Sequence, residues 1–76
     1  MAHIPDRYIV SIWYGNRDGT KTISQWSEYG RDGLINAVES VDWDITTHRA
    51  TNAIIERVLP SGGTKEVYSR GKAKTS

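Results

Sequence analysis

The five residues Asn16-Arg17-Asp18-Gly19-Thr20 constrain this chain more than any other stretch. They lie between two runs rich in Ile, Val, Thr, Tyr and Trp, the residues that favour strands. Asn and Asp suit a type I turn, and a following Gly supplies the left-handed residue of a G1 bulge. With Arg17-Asp18-Gly19 as the loop, Asn16 pairs with Thr20 and the register of a β-hairpin is set. Tyr14 then faces Thr22, Ile12 faces Ser24 and Val10 faces Trp26. In the other parity Trp13 faces Ile23, Ser11 faces Gln25 and Ile9 faces Ser27.

Strand side chains alternate with a period of two, so these residues divide between two faces. Tyr8, Val10, Ile12, Tyr14 and Trp26 form the richer set and are the expected core face. Ile9, Trp13 and Ile23 fall on the back of the sheet among Ser11, Gln25 and Ser27. A bulge inside either strand would exchange the faces of Trp13 or Trp26.

After the hairpin the period changes. Leu34, Ala37, Val38 and Val41 recur at helical spacing, with Asn36, Glu39 and Ser40 away from the stripe and Ile35 widening it. Asp32 is the expected N-cap, and Gly33 weakens the first turn. Trp43 is expected in the core, closing the corner after the helix, and Trp26 in the core below it. Residues 45–59 fit either a helix or a strand bent near residues 50–52. Their Thr, Ile and Val content and the turn "LPSGGTK" that follows favour the strand. A four-residue loop over 60–63 would pair Arg57 with Glu66 and Ile55 with Tyr68. The expected fold is α+β: a small antiparallel sheet with one helix on one face, in the order β-β-α-β-β, with β-β-α-α-β as the alternative.

Seventy-six residues make one domain, here expected over 1–70, with 71–76 a flexible basic tail. A domain of this size buries only about 60% of its unfolded surface. No cysteine is present to add a disulfide, which favours a reducing, cytoplasmic setting. The first ten residues do not form a signal peptide, and no apolar run is long enough for a membrane span.

The same sequence offers little to catalysis. His3 and His48 are the two histidines, and Asp42 and Asp44 stand too close together for a calcium loop. Both acids also lie near the negative end of the helix, which the sequence alone does not explain. There is no Gly-x-Ser-x-Gly, and "SGGTKEV" lacks the spacing and the following helix of a phosphate loop. The expectation is a non-enzyme without metal or cofactor.

Binding is the better reading. The chain has three Trp and four Tyr but no Phe, and rings with a polar tip suit surfaces that are dry on one side and wet on the other. Ile9, Trp13, Ile23 and Tyr29, with Arg17 and Lys21 at the polar end, are the candidate protein-binding patch. A homodimer through the same face would hide the same residues. The alternative is nucleic acid, held by Arg57, Lys65, Arg70, Lys72 and Lys74 with Tyr68 as a stacking ring. Against it, residues 32–48 carry Asp32, Glu39, Asp42 and Asp44 with no Lys or Arg, and the net charge is only +1.

No motif assigns a family. In its size, lack of cysteine and sheet-plus-helix layout, the chain resembles the small non-catalytic inhibitors encoded by phages and mobile elements, such as anti-CRISPR proteins and inhibitors of host RNA polymerase. That likeness of layout implies occlusion of a surface on a protein partner.

Overall fold

Both hairpins turn through the same device. In the computed structural model, which describes residues 6–47 and 49–71, strands β1 (Arg7–Gly15) and β2 (Lys21–Tyr29) are joined by the expected three-residue loop. The Asn16 N–H donates to the Thr20 carbonyl at 2.9 Å, and the Gly19 N–H donates to the Asn16 carbonyl at 3.1 Å. Gly19 takes φ 89°, a left-handed conformation that suits glycine. Side chains lock the turn further. Asp18 accepts from the Thr20 N–H at 3.0 Å and from its hydroxyl at 2.6 Å. These bonds to Thr20 hold the Asp18 carboxyl below its ordinary range. The register is the expected one throughout, from Arg7 opposite Tyr29 to Gly15 opposite Lys21.

Strands β3 (Asn52–Val58) and β4 (Thr64–Gly71) complete an antiparallel sheet in the order β2-β1-β3-β4. The second turn differs from the sequence reading. Its loop is Pro60-Ser61-Gly62, three residues rather than four: the Leu59 N–H donates to the Gly63 carbonyl and Gly62 takes φ 99°. Arg57 therefore faces Lys65, and Glu56 faces Glu66; the expected Arg57–Glu66 pair does not form. The shift is absorbed by a bulge at Val67, so Ile55 still faces Tyr68 as expected. Arg57 finds its counter-charge in Asp6, at 3.1 Å. The strand reading of residues 45–59 holds over β3, but Ile45 and Thr46 belong to the preceding helix. Gly71, placed in the tail by the sequence, closes β4 opposite Asn52, and residues 72–76 lie outside the described residues.

Helix α1 (Arg31–Thr46) packs against all four strands from one side. Its N-cap is Gly30, at φ 79° and with no capping side chain, not Asp32. The Gly30 N–H donates to the Asp6 carbonyl at 2.7 Å, which fixes the corner out of β2. Asp32 sits in the first turn instead, where a negative charge favours the helix dipole. Gly33 is buried, and a Cβ there would stand 3.1 Å from the Glu28 carbonyl carbon. The glycine thus lets the first turn rest on the end of β2.

Tyr8, Val10, Ile12, Ala37, Val41, Ala50, Ala53 and Ile55 form the core, with Tyr14, Trp26, Leu34, Val38, Ile45 and Tyr68 packed around it. Two expectations for the helix fail. Ile35 is exposed, and Trp43 is 65% exposed rather than core. The reason is length: the helix continues through Thr46, so the corner comes later. Trp43, two residues past the buried Val41, points away from the sheet.

The acids that the sequence left unexplained are what tie the helix down. Asp42 accepts from the Tyr68 hydroxyl at 2.6 Å and from the Arg70 guanidinium at 2.7 Å. Asp44 accepts from the Tyr14 hydroxyl at 2.8 Å. These bonds join the last turns of α1 to β4 and β1. The bond to Asp42, then burial, raises the Tyr68 phenol above its ordinary value; burial, then Asp44, raises that of Tyr14.

Two outcomes follow from this packing. Ile12 and Ile23 stand on one hairpin but on opposite faces, fully buried and 58% exposed. Ile12→Ala should cost about 2–5 kcal/mol in chemical denaturation, and Ile23→Ala about 0.5 kcal/mol or less. The tyrosine contacts favour the protonated phenols, so their contribution is complete below pH 10.0 and fades as pH rises through the higher folded-state values. In a phenolate absorbance titration, Tyr14→Phe and Tyr68→Phe should each remove a phenol that ionises late.

Candidate functional site

The helix covers one face of the sheet, and no other element among the described residues lies against the back. The strand registers define what that back presents. One row runs Ile23, Trp13, Asn52, Gly71 across the four strands. The next runs Gln25, Ser11, Ile54, Ser69, and the next Ser27, Ile9, Glu56, Glu66. Beyond these Tyr29 faces Arg7.

Trp13 and Ile23 are direct partners, and Ile54 is the diagonal neighbour of Trp13. Ile23 is exposed while Trp13 and Ile54 are half-buried. Lys21 follows on the same face at the turn end, and Arg17 is exposed within the turn itself. Below this group the Gln25 amide donates to the buried Ser11 hydroxyl at 2.9 Å, a polar floor whose Ser11 is already satisfied.

The structure redraws the candidate patch in two respects. Tyr29 is not beside Trp13. It is six residues from Ile23 along β2, roughly 20 Å at strand rise, with Gln25 and Ser27 between. Ile9 and Tyr29 form a second, smaller apolar group at the opposite end, in diagonal contact range of each other. Arg7, beside them, donates to the Ser27 hydroxyl at 3.2 Å. The compact group is therefore Trp13, Ile23 and Ile54, and Ile54 is the member that sequence reasoning missed. The period of two could have found it, because Ile54 and the core residue Ile55 must point to opposite faces.

The residues of the nucleic-acid reading lie elsewhere. Tyr68 and Arg70 share the helix side of the sheet and both bond Asp42, so Tyr68 is not a ring on the open face. The Arg70 guanidinium is held further toward its charged form by Tyr68 and Asp42. Arg57 pairs with Asp6, and Lys65 is exposed. Lys72 and Lys74 are outside the described residues, as are His3 and His48.

Among the described residues no cluster of three His, Cys, Asp or Glu side chains is arranged to hold a metal ion. Nor is any helix among them long and apolar enough to cross a membrane. Comparison with protein families, with curated proteins and with solved structures finds no match. The functional reading therefore rests on the surface itself.

Proposed function

We propose that this protein is a non-catalytic binding module that occludes a surface of a protein partner with the open face of its sheet. The observation that carries the reading is the pairing of Trp13 with Ile23 on the face away from the helix, with Ile54 beside them. Large apolar side chains on an uncovered sheet face cost solubility without serving the core. A central Trp with a polar surround is the usual anatomy of an interface hot spot. Here Lys21, Arg17, Asn52 and Gln25 supply the surround, a rim that adds orientation more than affinity. Ile9 and Tyr29 extend the contact toward the other end of the sheet. Inhibitors of the phage-encoded kind, which the chain resembles in layout, work by such occlusion.

The test is affinity capture from bacterial lysate, with and without nuclease, using the native chain, Trp13→Ala and Ile23→Lys. A discrete protein should survive nuclease treatment and be lost with both variants, while Ile23→Lys keeps the native thermal midpoint. Capture that both variants retain would reject the open face. Nucleic acid in the eluate, with every protein lost on nuclease treatment, would shift the function to the basic side chains.

A further inference from the structure

Trp43 has no role in the core, yet it is a Trp. It lies on the outer flank of α1 above edge strand β2, where Trp26, Asn36, Glu39, Ser40, Trp43 and Asp44 line a shallow hollow of about 540 Å³. Positions 36, 39, 40 and 43 recur at helical spacing, so a single stripe of α1 forms one wall. Trp26 forms the other. Its ring packs against the core, and its indole N–H donates to the Glu28 carboxylate at 2.9 Å, so its orientation is fixed before any ligand arrives.

The charged side chains that line the hollow are both acidic. Glu39 and Asp44 line it, and among the described residues no Lys or Arg does. Among the described residues, the Asp44 carboxylate accepts a side-chain bond from the Tyr14 hydroxyl, a donor that carries no positive charge. Arg70 is paired with Asp42, which does not line the hollow. Arg49 is close enough to act on the Tyr14 phenol, but it too is not a lining residue. Two indoles and two carboxylates thus converge on one opening.

We propose that this hollow takes the side chain of an arginine presented by a protein partner. A guanidinium stacks on indole faces and donates a planar fork of N–H bonds to carboxylates, which fits Trp26 and Trp43 with Glu39 and Asp44. A lysine ammonium offers a point charge without the stacking plane or the fork. This surface lies on the helix side of the sheet and is independent of the open face.

The three indole N–H resonances separate the two surfaces in one proton–nitrogen correlation spectrum. On titration with a capped Gly-Arg repeat peptide, the Trp26 and Trp43 signals should move and that of Trp13 should stay. The matching Gly-Lys peptide should bind several-fold more weakly. Trp43→Ala and, separately, Glu39→Gln should each weaken the Gly-Arg response by roughly threefold or more, the scale of one cation–π or charge contact. Both positions are exposed, so the fold should persist in both variants. Static Trp26 and Trp43 signals would overturn the proposal. So would equal binding of the two peptides, or a response centred on Trp13.

Discussion

The contact on which the rest of the structure depends is the attachment of the last helical turns to the sheet through Asp42 and Asp44. One carboxylate holds Tyr68 and Arg70 of β4, the other holds Tyr14 of β1. Both acids sit where the helix dipole disfavours them, and the hydrogen bonds from the sheet offset that cost. The first turn is fixed separately, by Gly30 on the Asp6 carbonyl and by the close approach of Gly33 to Glu28. With both ends held, α1 can lie on only one side. Val10, Ile12, Ala53 and Ile55 are sealed beneath it, and the opposite side chains are left at the surface.

How much of this the sequence revealed depended on the range of the interaction. The first hairpin was legible to the residue, because Asn16, Asp18 and Gly19 specify a turn and the turn specifies the register. The core face followed from period-two alternation. The second hairpin was less legible. "LPSGG" contains two adjacent glycines, and only the folded chain shows that Gly62 takes the left-handed position. The bulge at Val67 then hides the one-residue error by restoring Ile55 opposite Tyr68.

The helix end was the least legible part. Asp42 and Asp44 are justified by partners 26 to 30 residues away, which no local pattern reports. Trp43 lies on the solvent side because α1 continues past it to Thr46 and Val41 takes the face toward the sheet. The extent of the candidate patch depends on distance as well as on face. Tyr29 shares the parity of Ile23, but parity gives the face and not the distance along it. Ile54 was available from the same alternation once Ile55 was assigned to the core.

The resulting molecule has two unlike surfaces on opposite sides of one sheet. The open face carries aliphatic and indole side chains with few charges near Trp13. The flank of the helix carries indoles among carboxylates. A small domain with both can contact a partner by shape on one side and by charge on the other.

The claim beneath both readings is that one face of the sheet is covered and the other is open in solution. Isoleucine methyl relaxation by a soluble paramagnetic agent tests this directly, because Ile12 and Ile55 report the covered face and Ile23 the open one. The methyl groups of Ile23 should relax strongly, like those of the exposed helix residue Ile35, while Ile12 and Ile55 remain shielded. Shielding of Ile23 to the level of Ile12 would contradict the account, because the back of the sheet would then be covered.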